Sequence, residues 1–168
     1  MSFSSDVKGE LCREAMSKQC CSLAEAYGVL LYCNTFSGRE VRIITESADF
    51  AARLPKLFQK AFALSFDRTP EEDVEAGRKY IFQITDQKKL ATIIEAFGYD
   101  PQQHIVLHIN FALLEEDCCR AAFLRGAFLA GGSVTAPEKR YHLELATSHA
   151  QASREMTALL RDMGYDPK

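Results

Sequence analysis

The chain has 168 residues, 47% of them hydrophobic, enough to bury a sizeable core as one domain or as two small halves sharing one. A net charge of −3 and a pI near 5.8 argue against a stand-alone nucleic-acid binder of high affinity, which usually needs a basic patch large enough to raise both. No stretch approaches the roughly 18 uninterrupted apolar residues of a membrane span, and MSFSSDVKGELCREAM lacks the apolar region of a secretion signal. The expectation is a cytoplasmic chain without membrane contact.

In chain order, Ser4, Ser5 and Asp6 offer caps for a short helix through Val7, Leu11 and Ala15, with Phe3 as its hydrophobic staple. The run SLAEAYGVLLYC, from Ser22 to Cys33, predicts an apolar helix stopped by a left-handed Asn34. A turn at Ser37 and Gly38 leads to a β-branched strand from Val41 to Thr45. ADFAARLPKLFQKAF places Phe50, Leu54, Leu57, Phe58 and Phe62 at helical spacing, and Pro55 predicts a kink or a break inside it.

The segments ALSFD and RKYIFQIT read as two strands of a hairpin around the acidic loop RTPEEDVEAG. Asp86 then caps a helix with Leu90, Ile93, Ile94 and Phe97 on its apolar face, ended by Gly98. In HIVLH, His104 and His108 have the i, i+4 spacing of a helical metal pair. The same alternation fits a strand with both histidines on one side, and a structural role is the preferred reading. From Cys118 onward come an apolar helix, a turn around Pro137, the strand YHLELAT, and a helix from Ser148 to Met163 with Met156, Leu159 and Leu160 inward and Gly164 as its stop.

Laid over each other, CCSLAEAYGVLLYCNT and CCRAAFLRGAFLAGGS share paired cysteines, the mid-helix glycines Gly28 and Gly126, and one apolar pattern. A glycine inside a helix costs on the order of 1 kcal/mol relative to alanine. Close packing of each helix on its duplicate is the compensating gain that these positions suggest. Gly28, Gly126, Ala130 and Gly131 are therefore the candidate interface between the two helices.

The six cysteines are Cys12, Cys20, Cys21, Cys33, Cys118 and Cys119, and none forms a C-x-x-C pair. Adjacent cysteines rarely chelate one metal, so the reading is reduced, buried thiols with no metal and no cofactor. No G-x-S-x-G elbow, Walker loop or dinucleotide fingerprint occurs.

The stretch LRGAFLAGG, Leu124 to Gly132, resembles the LAGLIDADG motif of homing endonucleases, whose motif helices pair between two αββαββα halves. The opening MSFSSDVKGELC, the duplicated CC helices and FLRGAFLAGGSVTAPEKRYHLELAT resemble, over nearly the whole chain, the WhiA family of bacterial sporulation and cell-division regulators. The resemblance implies an α+β fold of two LAGLIDADG-like αββαββα repeats packed through paired motif helices. Pseudo-repeat 1 spans about 20–98 and pseudo-repeat 2 about 118–168, the second incomplete, within one LAGLIDADG-like domain over 1–168.

In the nucleases the penultimate motif residue is a metal-holding acid. The matching positions here are Cys33 and Gly131, which implies a degenerate, non-catalytic site. The nearest acids, Glu40 and Glu138, lie beyond the turns after the motif helices and read as solvated. Relative to the family, the chain reads as truncated before its C-terminal helix-turn-helix domain.

In the LAGLIDADG proteins that the chain resembles, two sheets form a saddle whose concave face lies on the DNA, which implies the same face here. Along the strands, Arg42 and Ile44 face away from Val41, Ile43 and Thr45, while Lys79, Ile81 and Gln83 face away from Tyr80, Phe82 and Ile84. In KRYHLEL, Arg140, His142 and Glu144 oppose Tyr141, Leu143 and Leu145, and Glu46 and Glu144 weaken the binding case. Arg39, Arg42, Arg78, Lys79, Lys139 and Arg140, grouped at strand starts, are the candidate phosphate contacts.

The expected function is a non-catalytic DNA-binding, regulatory domain of a WhiA-like transcription regulator linked to sporulation, cell division and chromosome segregation, cytoplasmic and nucleoid-associated. Its expected partners are double-stranded DNA, bound weakly or through the helix-turn-helix domain, and other regulatory proteins. The alternative is a protein-interaction or architectural module with no DNA binding of its own.

Overall fold

The structure, a computed structural model, describes residues 2–16, 18–70, 79–102, 107–140 and 142–168. Its elements run α1 (Phe3–Leu11), α2 (Gln19–Tyr32), β1 (Thr35–Phe36), β2 (Val41–Thr45), α3 (Ala48–Phe62), β3 (Tyr80–Ile84) and α4 (Gln87–Ala96). A 3-10 turn (Phe111–Leu114) then precedes α5 (Asp117–Gly131), β4 (Gly132–Val134), β5 (Leu143–Leu145) and α6 (Ala150–Asp162).

At the centre, α2 and α5 lie side by side in parallel, because each glycine leaves room for the other helix's backbone. A methyl group added at Gly28 would fall closer than 3.0 Å to the Phe123 carbonyl oxygen and the Ala127 nitrogen, and one at Gly126 would meet the Glu25 carbonyl oxygen as closely. The Val29 nitrogen lies 3.0 Å from that second position. A shift of 98 residues carries Gly28 onto Gly126, Glu25 onto Phe123 and Val29 onto Ala127, so the two contacts are the same contact seen from either side. With no side chain between them, backbone packs directly on backbone at both glycines. Tyr27, Leu30, Leu31, Phe123 and Leu129 are buried around the pair.

Two small antiparallel sheets flank the helices. In the first, β2 pairs with both β1 and β3, with Val41 opposite Phe36 and Ile84, and Ile43 opposite Phe82; these five side chains are buried. In the second, β4 pairs with β5, setting Gly132 opposite Leu145. Helix α3 covers the core with Phe50, Leu54, Leu57 and Phe58, none measurably exposed. It runs unbroken through Pro55. Burying those four side chains is worth about 2 kcal/mol each, which outweighs the roughly 3 kcal/mol that an interior proline costs.

Several local expectations change. Ser2, not Ser4, Ser5 or Asp6, caps α1, its oxygen accepting from the Ser5 nitrogen at 3.1 Å, and Phe3 lies inside the helix. Asn34 is no left-handed stop: α2 ends on an extended Cys33, and the Asn34 side chain instead accepts from the Ile44 nitrogen at 2.9 Å. The left-handed cap belongs to Ala63, which ends α3 at φ 57°.

ALSFD forms no strand and leaves only the bridge between Arg68 and Gln83 beyond it, so β3 pairs with β2 instead. Within YHLELAT the described strand is Leu143–Leu145, and Leu143 is 61% exposed. His104 and Arg78 lie outside the described residues, while His108 belongs to no helix or strand. As expected, Asp86 caps α4 through two backbone N–H groups, and Gly98 and Gly164 follow their helices at positive φ.

Candidate nucleic-acid interface

The first sheet buries one face and leaves the other open. Cross-strand partners share a face. Thr35 lies opposite Arg42, Arg42 opposite Gln83, and Gln83 opposite Arg68, so these four residues form one row across the open side. Ile44 and Ile81 form the next row.

A hydrogen-bonded chain fixes the polar row. Arg42 donates to Glu40 Oε2 at 3.0 Å, the Gln83 amide donates to the same oxygen at 2.9 Å, and Arg68 donates to Gln83 Oε1 at 3.2 Å. The row thus holds two guanidinium groups and one carboxylate, a net positive strip with its side chains already ordered. Arg68 was not anticipated from sequence, since it borders an acidic loop and only the bridge to Gln83 brings it onto this face.

The five basic candidates among the described residues, Arg39, Arg42, Lys79, Lys139 and Arg140, do not lie together. Strands β2 and β3 are antiparallel, so their starts fall at opposite ends of the sheet: Arg39 and Arg42 near the Val41–Ile84 pair, and Lys79 beyond the Thr45–Tyr80 pair. Those pairs are separated by about 14 Å at 3.4 Å per residue. Lys139 and Arg140 lie exposed between β4 and β5, on the second sheet's turn. Beside the first sheet, Asp67 binds Lys89 at 2.7 Å and accepts from the Thr85 and Asp86 nitrogens. The Lys89 ammonium first, and then those N–H groups, hold its carboxyl down at about 2.

At the far end of the helix pair, α2 and α5 close on each other. A methyl at Gly131 would lie 2.7 Å from the Tyr32 carbonyl oxygen, and Ala130 is half-buried against the core. Thr147 donates its hydroxyl to the Leu31 carbonyl oxygen, and the Ala146 nitrogen donates to that of Gly131. Cys33 is buried, its thiol donating toward the carbonyl oxygens of Leu30 and Thr35 at 3.2 and 3.3 Å. Burial pushes that thiol up to about 12, so it stays protonated at neutral pH and offers no thiolate to a metal.

Residues 120–168 match the family model of the WhiA LAGLIDADG-like domain. Over its full length the chain is 34% identical to the probable cell division protein WhiA of Ruminiclostridium cellulolyticum and 34% identical to that of Alkaliphilus oremlandii, covering 56% of each. The chain is thus similar to WhiA proteins over its whole length, and its residues 120–168 match their LAGLIDADG-like domain.

The fold agrees with two solved WhiA structures. Full-length WhiA from Thermatoga maritima superposes with a TM-score of 0.70 at 21% identity, over 98% of this chain and 51% of that one. The N-terminal LAGLIDADG domain of WhiA superposes with a TM-score of 0.68 at 20% identity, over 97% of this chain and 75% of that one. The chain spans about half the length of the curated WhiA relatives it matches. Among the described residues, no helix is long and apolar enough to cross a membrane.

Proposed function

We propose that this WhiA-type domain is a non-catalytic docking module for duplex DNA, within a regulator acting in cell division, sporulation and chromosome segregation. The observation that carries the reading is the open face of the first sheet, where Arg42, Gln83 and Arg68 stand in one hydrogen-bonded row. Guanidinium groups held in place bind phosphate oxygens without sequence preference. The domain grips the backbone weakly and positions a sequence-reading helix-turn-helix part. Cys33 and Gly131, at the helix ends where the endonuclease motif carries its acids, supply no hard oxygen ligand, which supports a role without strand cleavage.

Two observations favour a second reading, a protein-interaction or architectural module. Leu143 is 61% exposed on the second sheet, and Glu40 already neutralises part of the Arg42 charge.

Fluorescence anisotropy of the chain with a labelled duplex, across a salt series with and without magnesium, separates the two readings. Phosphate docking gives affinity that falls with salt at a slope of about 0.9 per contact, indifferent to magnesium and without nicking of supercoiled DNA. Absence of binding at low salt overturns it in favour of the protein-interaction reading.

A further inference from the structure

The duplicated cysteines take no part in the surface described above. Cys20 and Cys21 sit in the first turn of α2, and Cys118 and Cys119 in the first turn of α5. Their four Sγ atoms all lie within 4.8 Å of one another. Of these four thiols, expected to be buried, only Cys119 is: Cys21 and Cys118 are half-buried and Cys20 is exposed. Adjacent cysteines on one helix point in different directions and make a poor chelate alone. A parallel helix pair changes this by bringing two N-termini together, and the same shift of 98 residues carries Cys20 onto Cys118 and Cys21 onto Cys119.

Four sulfurs in this arrangement suit a single tetrahedral ion. Zinc–sulfur bonds of about 2.3 Å put the sulfurs about 3.8 Å apart, so the group needs to contract by about 1 Å at most, within the reach of small side-chain rotations. A multi-iron cluster holds its thiolates further apart, around its own sulfides. Two features of the surroundings complement the negative charge of a four-thiolate site. Neither α2 nor α5 has a side chain capping its N-terminus, so the orphan N–H groups and positive dipole ends of both helices converge there. Lys18 places its ammonium 4.0 Å from Cys118 Sγ; Glu116, 3.3 Å from the same sulfur, is the one opposing charge in contact with it among the described residues.

We propose that Cys20, Cys21, Cys118 and Cys119 together bind one zinc-class divalent ion, which clamps the N-termini of α2 and α5 at the end of the pair opposite Cys33 and Gly131. Each sulfur–metal bond forms as a thiol proton leaves to solvent, so the step needs no oxidant. The exposed Cys20 edge gives the ion its way in. The clamp ties the two halves of the chain through residues almost a hundred positions apart, while Gly28 and Gly126 fix the middle of the same interface.

The test is elemental analysis of the chain purified under reducing conditions, followed by Co(II) titration of the metal-stripped protein. The expected result is one zinc per chain and saturation at one equivalent of Co(II), with the intense visible bands of tetrahedral cobalt thiolate. Cys20→Ser combined with Cys119→Ser loses both signals, whereas Cys12→Ser, outside the cluster, keeps them. Circular dichroism establishes that each variant is folded, and a chelator lowers the Tm of the unsubstituted protein by several degrees while leaving a folded double variant unmoved. A chain that takes up no cobalt with its thiols reduced, or that binds several irons per chain, overturns the proposal.

Discussion

The Glu25 carboxylate is gripped by the Arg53 guanidinium through two hydrogen bonds of 2.7 and 2.8 Å, with both side chains buried. Arg125 adds a third bond to Glu25 at 2.6 Å, and Arg53 also donates to the carbonyl oxygens of Cys12 and Glu14. One carboxylate thus joins α2, α3, α5 and the segment after α1. Removing one partner of a buried pair costs about 3 kcal/mol or more, because the other charge is left without compensation. Glu25→Gln sets two guanidinium groups against a neutral amide, and its expected effect is a Tm lower by about 6 to 12 °C in a thermal melt.

Gly28→Ala and Gly126→Ala are expected to destabilise the chain although alanine is the better helix former by about 1 kcal/mol. The atoms in the way are backbone of the facing helix, which cannot turn aside. Overpacking of this kind costs about 1 to 3 kcal/mol and more where backbone must move. Urea unfolding should give a net loss of about 2 kcal/mol at each site. Equal stability in both variants would contradict the close helix approach.

The acid limb of stability should carry the Asp67 contact. Its folded carboxyl is held at about 2 against an ordinary 3.8, so the stabilisation is fully present above pH 4 and disappears as the pH falls toward 2. Asp67→Asn flattens that limb. The difference in unfolding midpoint between the variant and the unsubstituted chain should shrink as the pH drops from about 4 to about 2.

On the open face, Glu40→Gln releases Arg42 and Gln83 from their carboxylate partner. If this face docks on phosphate, duplex affinity rises, and Arg42→Ala lowers both the affinity and the salt slope by about one contact. If neither variant moves the anisotropy, the duplex does not lie on this face.

The sequence by itself determined the helices. Periodicity marked their apolar faces, Asp86 announced a cap, and Gly98 and Gly164 announced stops, because each of these signals is local to a few residues. The duplicated glycines were legible for a related reason: an interior helix glycine demands compensation wherever the chain lies. Glu25 was equally visible as a lone charge in the run SLAEAYGVLLYC, yet its partners lie 28 and 100 positions away, and nothing local names them. Strand partners were likewise undecided. Both ALSFD and the stretch from Val41 have strand character, and only register against a shared core set β2 beside β3. The row of Arg42, Gln83 and Arg68 and the ring of four cysteines share that origin. Side chains from distant positions become neighbours only after helix packing and strand pairing fix two backbones relative to each other, and that is a property of the tertiary structure alone.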